Sequence, residues 1–175
     1  MLIVMAGLPG TGKSTLAARL AAALPGVVLS KDSVRAALFP PPAGDFSAVQ
    51  DEIAMSAVYA AAGHLLRADS ARAVILDGRT FSRRGQLDPV FALAAGLGIS
   101  PTVIECVCSD DAAEARLTRD HTAGVHPAGN RTPALYRERK AAADPLTVPR
   151  LVIDTTARTP DDCLRLALAA VRPGA

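Results

Sequence analysis

At 175 residues, half of them hydrophobic, the chain has the size and apolar content of one domain with a sizeable core. A net charge of +2 is too small to mark a nucleic-acid binder by itself, and no apolar stretch reaches membrane-spanning length. Three cysteines without C-x-x-C spacing read as core thiols in a reducing compartment, and the N-terminus lacks a signal peptide's basic start, so the protein is expected to be cytoplasmic.

The first element is a short apolar run, Leu2-Ile3-Val4-Met5-Ala6, with the character of a buried parallel strand. Gly7-Leu8-Pro9-Gly10-Thr11-Gly12-Lys13-Ser14 follows and fits G-x-x-x-x-G-K-[ST], the P-loop. Then comes a helix from Thr15 to Leu24, with Leu16, Leu20 and Leu24 at helical spacing. Strand, glycine-rich loop and helix thus stand in the order the motif requires. Glycines let successive N–H groups turn inward as an anion nest, and the helix N-terminus adds partial positive charge. Gly7 to Thr15 is therefore expected to bind nucleotide, with Lys13 on the β- and γ-phosphates and Ser14 on Mg²⁺.

Pro25-Gly26 stops that helix, and Val27-Val28-Leu29 reads as a second strand ending at Ser30-Lys31-Asp32. A helix is predicted over Ser33 to Leu38, then a proline-rich loop from Pro40 to Gly44. Ser47 and Gln50 form a capping box for a long helix reaching about Ala68, with Val49, Ile53, Ala57, Ala60 and Leu65 near one face. Ala73 to Asp77 is the third strand, and Leu87 to Leu97 carries helical spacing with Asp88-Pro89 as a start. Thr102 to Cys108 is the fourth strand, followed by a helix from Ser109 to about Asp120. A segment rich in Gly, Pro, His and Asn, about 120–133, reads as a mobile lid. Ala134 to Ala143 is helical, Leu151 to Asp154 is the fifth strand, and a last helix capped at Thr159 runs to about Val171.

Strands alternating with helices imply a parallel, doubly wound α/β sheet with helices on both faces. Ligands bind such sheets beyond the carboxyl ends of the strands, which brings Ser14, Asp32, Asp77, Ser109 and Asp154 near the site. Phosphoryl transfer needs a phosphate cradle, a metal, an aimed nucleophile and neutralisation of charge. Asp32 is the candidate for aiming an acceptor hydroxyl, against a plain helix-capping role. Arg35, one turn on, would hold an anionic part of the acceptor unless it is simply solvated. Asp77 ends an apolar strand as a Walker-B acid does, and would hold Mg²⁺ or orient Ser14; hydrogen bonding to the Gly78-Arg79 turn is the alternative. Arg79 is a further candidate for contacting the acceptor, against a plain surface role. Arg116 and Arg119 share a helix face leading into the lid, with Arg131 at its far end, and would cover the phosphates. Ion pairs with Asp110, Asp111 or Glu114 are the other reading. His64, His121 and His126 lack a metal-ligating or acid–base setting.

These residues resemble the small P-loop kinases of the group that contains polynucleotide 5′-kinase, chloramphenicol phosphotransferase, gluconate kinase and zeta-toxin kinases. Gly7–Ser14 looks like their Walker A. Ser30-Lys31-Asp32-Ser33-Val34-Arg35 looks like the D-x-x-R element of the polynucleotide kinase branch, in which the aspartate is the general base and the arginine binds acceptor. Val74 to Thr80 is similar to their strand–Asp–x–Thr element, with one extra residue before Thr80, and Arg116-Leu117-Thr118-Arg119 looks like their pair of lid arginines. The resemblance implies a P-loop NTPase three-layer sandwich, strand order 2-3-1-4-5, and an adenylate-kinase-like lid. It implies ATP, Mg²⁺ and transfer of the γ-phosphoryl group to a hydroxyl. The expected acceptor is a small molecule such as a sugar, nucleoside or antibiotic. A polynucleotide 5′-hydroxyl is the less favoured acceptor, for want of a visible aromatic platform, and a regulatory ATPase is the rival from another class. The expected organisation is a single P-loop kinase domain over 1–175, with no membrane partner.

Overall fold

In the computed structural model, residues 1–123 and 131–171 are described; half of the expected lid, including His126, lies outside them. Five strands form one all-parallel sheet: β1 (Leu2–Ala6), β2 (Val27–Ser30), β3 (Val74–Asp77), β4 (Thr102–Val107) and β5 (Leu151–Asp154). Their spatial order is β2-β3-β1-β4-β5, the order that the resemblance implied. The helices are α1 (Lys13–Ala23), α2 (Lys31–Leu38), α3 (Ala48–Ala68), α4 (Asp88–Gly96), α5 (Asp110–Ala123), α6 (Pro133–Ala141) and α7 (Pro160–Val171).

The two-residue period of a strand sorts the core into two layers. From β1, Leu2, Val4 and Ala6 pack with Met55, Val58, Ala62 and Leu66 of α3 and Val90 and Ala94 of α4. Ile3 and Met5 pack on the other face with Leu16, Ala17 and Leu20 of α1 and Cys163, Ala167 and Val171 of α7. β1 is buried on both faces along its whole length, so its apolar run shows no alternation in sequence.

The register aligns the strand ends that matter. Ser30 is the partner of Asp77 between β2 and β3, and Val107 is the partner of Asp154 between β4 and β5. The start of the P-loop is drawn tightly against the sheet: a Cβ on Gly7 would lie 2.2 Å from the Cys106 carbonyl oxygen. Gly78 has φ +93, and a Cβ there would stand 3.0 Å from the backbone nitrogens of Lys31 and Asp32. Glycine thus lets the turn after β3 meet the first turn of α2.

Several elements differ from the sequence expectations. α2 begins at Lys31 rather than Ser33, because the Ser30 hydroxyl caps it by accepting from the Ser33 N–H. Asp32 therefore sits in the first turn of α2, not before it. The face expected for α3 is also wrong: Val49 and Ile53 are 69% and 46% exposed, whereas Met55, Val58, Ala62 and Leu66 are buried. This helix is apolar almost all round, so spacing alone did not single out its buried stripe. The capping box forms only in part. The Ser47 hydroxyl accepts from the Gln50 N–H at 3.3 Å, but the Gln50 side chain turns back to the Asp45 N–H at 3.1 Å and the Ala43 carbonyl at 2.8 Å. α5 runs on to Ala123, past the expected end near Asp120. β4 stops at Val107, so Cys108 lies past the strand and packs by Leu117 and Tyr136, while Cys106 is in the core. Burial pushes the Cys106 thiol up to about 12, which makes it an inert core thiol.

Candidate active site

The P-loop closes between β1 and α1 by local bonds. The Thr11 hydroxyl donates to the Leu8 carbonyl at 2.7 Å, and Lys13 Nζ donates to the same oxygen at 2.8 Å. Gly12, at φ 87, occupies the N-cap position of α1, leaving Lys13, Ser14 and Thr15 in its first turn. The loop is braced from outside as well. Gly7 N–H donates to the Thr80 carbonyl at 2.9 Å, tying its start to the turn after β3. The Thr155 hydroxyl donates to the Thr11 carbonyl at 3.0 Å, tying its end to the turn after β5.

Lys13 is buried, and desolvation lowers its pKa to about 8, partly countered by the negative charge of Asp77. Asp77 is itself buried, and its Oδ1 has no hydrogen-bond partner among the described residues. Most buried polar atoms are paired. A buried carboxylate oxygen left open at the end of β3, beside a P-loop lysine, fits the shell of a hydrated cation. Ser14 lines a cleft together with Lys13 and with Gly78, the residue after Asp77.

Two clefts meet over this loop. The first is lined by Gly10, Gly12, Ser14, Thr15, Arg116, Arg119, Thr155 and Arg158. The second is lined by Pro9, Asp32, Arg35, Phe46, Arg79, Thr80, Leu135 and Arg139. Lys13, Ser14 and Arg131 border both. A molecule in one cleft therefore reaches a molecule in the other across the side chains of Lys13 and Ser14.

Asp32 belongs to a nearly buried ionic cluster. Lys31 Nζ lies 3.1 Å and an Arg35 guanidinium nitrogen 3.4 Å from the same oxygen, Asp32 Oδ1. Asp51, on α3, takes both cations a second time, at 2.8 Å from Lys31 and 2.5 Å from Arg35. The Arg35 guanidinium also lies 4.7 Å from the centre of the Phe46 ring. Phe46 has φ 56, a left-handed backbone that a phenylalanine rarely adopts; the Gln50 brace spans its loop.

The remaining expected residues divide clearly. Arg79 borders the second cleft while making a two-pronged ion pair with Glu52. Arg116 pairs with none of Asp110, Asp111 and Glu114. It donates to the Gly10 carbonyl at 3.2 Å and to the Thr155 hydroxyl and carbonyl, each at 2.9 Å. Arg119 borders the first cleft, with its side chain largely exposed and 3.6 Å from Asp120. Ser109 and Asp154, picked by the strand-end rule, are spent on turns. The Ser109 hydroxyl accepts from Ala112 N–H, and Asp154 Oδ1 accepts from Thr156 and Ala157 N–H. His64 and His121 are exposed. Asp51, Phe46, Gln50, Thr155 and Arg139 were missed. Thr155 follows a strand end and was within reach of the same rule, whereas Asp51 comes from a helix that only tertiary packing brings to Arg35.

A family model described as an AAA domain, AAA_33, matches residues 2–141. The chain belongs to that family. This AAA_33 protein is also similar to several solved structures over nearly all of their length and its own. One is a protein of Chloroflexus aurantiacus provisionally described as a kinase, 25% identical, with 98% of each chain covered and a TM-score of 0.77. A second is the APS kinase of Mycobacterium tuberculosis in complex with AMPPNP and APS, 19% identical, covering 97% of this chain and 96% of that one, with a TM-score of 0.69. A third is a gluconokinase of Sinorhizobium meliloti, 18% identical, covering 97% and 90%, with a TM-score of 0.66. No curated protein sequence matches the chain. The fold of this AAA_33 protein is that of the P-loop kinases, and no helix of the described residues is long and apolar enough to cross a membrane.

Proposed function

We propose that the protein is an ATP-dependent kinase that transfers the γ-phosphoryl group to a hydroxyl of a small molecule. The observation that carries this reading is the meeting of two clefts at Lys13 and Ser14, with Asp32 in the wall of the second. ATP takes the first cleft, its phosphates in the nest of Gly7 to Thr15 and its β- and γ-oxygens against Lys13. Arg119 and Arg131 border the phosphates, and Arg116 keeps the nest in shape by holding Gly10 to Thr155. Ser14 and the open oxygen of Asp77 would hold Mg²⁺. When bound, the ion would neutralise negative charge on the phosphates.

The acceptor lies in the second cleft. Both cations near Asp32 contact its Oδ1, which leaves Oδ2 to accept a hydrogen bond from the acceptor hydroxyl. As the hydroxyl oxygen bonds to the γ-phosphorus, the bond from that phosphorus to the β–γ bridging oxygen breaks. The hydroxyl proton passes to Asp32, and ADP leaves with the electron pair. An ordinary carboxylate is a weak base for an alcohol, and a loose transition state tolerates this because the proton departs late.

The test is product detection. Wild-type protein and Asp32→Asn are incubated with Mg-ATP and a panel of sugars, nucleosides, hydroxylated antibiotics and 5′-hydroxyl oligonucleotides. A phosphorylated small molecule formed by the wild type and lost in the variant is the expected outcome. A phosphorylated oligonucleotide alone would move the reading to a polynucleotide kinase.

A further inference from the structure

The cations around the acceptor cleft are not equivalent. Lys31 and Arg35 are spent on Asp51 and Asp32, and Arg79 on Glu52. Arg139, half-buried on α6, has no carboxylate partner among the described residues, and it borders the acceptor cleft only. Its neighbours on the same helix show the contrast. Arg137 makes a two-pronged pair with Glu114 at 2.7 and 2.6 Å, and Lys140 pairs with both oxygens of Asp110 at 2.6 and 2.7 Å. Of three basic side chains within four positions, the two that face other elements are neutralised and the one that faces the cleft is not. Leu135, one turn earlier, lines the same wall, so Arg139 points into the cleft by helical spacing.

We propose that Arg139 is an anion site of the acceptor cleft, and that the acceptor carries a phosphate, sulfate or carboxylate group in addition to the hydroxyl that reacts. The planar guanidinium fork matches an oxyanion in two-pronged geometry, and a half-buried, unpaired guanidinium is the group such an anion would neutralise. Arg131, also without a carboxylate partner among the described residues, stands between this site and the nucleotide phosphates. The identity of the acceptor as an anion rests on the kinase reading above; the anion site itself does not.

Two arms test it. In the first, wild type and Arg139→Gln are given Mg-ATP with acceptor pairs that differ by one anionic group: gluconate with glucose, and nucleoside 5′-monophosphates with their nucleosides. Phosphate is expected on anionic members, with neutral mates at least about tenfold poorer. Arg139→Gln should raise KM for the anionic member by about tenfold to a hundredfold, the range for losing a charge-assisted hydrogen bond, while KM for ATP moves less than about twofold. Neutral members phosphorylated as fast as their anionic mates, or an unchanged KM in the variant, would overturn the proposal. In the second arm, AMPPNP and Mg²⁺ fill the nucleotide cleft and sulfate is titrated while Tm is followed. Sulfate should raise Tm of the wild type and not of Arg139→Gln; equal responses overturn the anion site. A sulfate response lost in the variant, with ADP released and no product on any acceptor, would leave the anion site standing and overturn the kinase reading instead.

Discussion

Arg35 on α2 donates to Asp51 on α3 across 2.5 Å. This bond neutralises Arg35 within the fold, with Asp32 3.4 Å away on the same guanidinium. We therefore propose that Arg35, which also lines the second cleft, positions Asp32. Asp51→Asn leaves Lys31 and Arg35, both nearly buried, with one carboxylate to share. Displacing a reacting group by about 1 Å costs about a hundredfold in rate. The variant is expected to lose about 10- to 100-fold in kcat with little change in KM for ATP. It should also lose about 1–3 kcal/mol of unfolding free energy, the cost of leaving a buried donor unpaired. Steady-state kinetics and urea denaturation measure both, and wild-type kcat would show that the cluster does not position Asp32.

Arg116 reaches the carbonyls of Gly10 and Thr155 and the Thr155 hydroxyl. Arg116→Ala is expected to cost about 1–3 kcal/mol of stability without nucleotide, because it leaves acceptors at the loop unpaired. Arg116→Lys should recover little of this, since one ammonium cannot reproduce a fork that spans three oxygens. Tm measured without nucleotide decides. Unchanged stability with impaired transfer would mean that Arg116 acts on the phosphates alone.

Burial holds Lys13 near pH 8, below its ordinary 10.5. Between these values the unfolded chain binds more protons than the folded one, so stability rises with pH across that window. Phosphate charge beside Nζ reverses the shift, so nucleotide binding is expected to take up a proton above pH 8 and to weaken as pH rises further. Calorimetry at pH 8.5 in two buffers of different ionisation enthalpy would measure the uptake. Lys13→Met should abolish it; equal heats in the two buffers for the wild type would contradict the linkage.

The sheet and the P-loop were legible because buried strands and the nest carry their own signatures: apolar runs such as Leu2 to Ala6, and glycines where the chain must turn inward. Asp32 and Asp77 were picked by the rule that ligands gather at strand ends, and the register shows that β2 and β3 end side by side, with Ser30 opposite Asp77. What was not legible lies in tertiary pairing. Asp51 is sixteen residues from Arg35, across a loop and onto another helix, and no spacing announces that pair. Phe46 gave no signal as a cleft residue, because its exposure there depends on the Gln50 side chain bracing a left-handed turn rather than completing a capping box. The buried face of α3 escaped for the opposite reason, an excess of apolar residues on every side.

We propose above all that Asp32 aims an acceptor hydroxyl at the γ-phosphoryl group of ATP. The most direct measurement is mass spectrometry of the acceptor panel after incubation with Mg-ATP, comparing wild type with Asp32→Asn at matched nucleotide occupancy. The wild type should form one class of phosphorylated product, and the variant should lose that product while ATP still binds. Equal product from both proteins would contradict this, and would leave Asp32 as no more than the first-turn acid of α2.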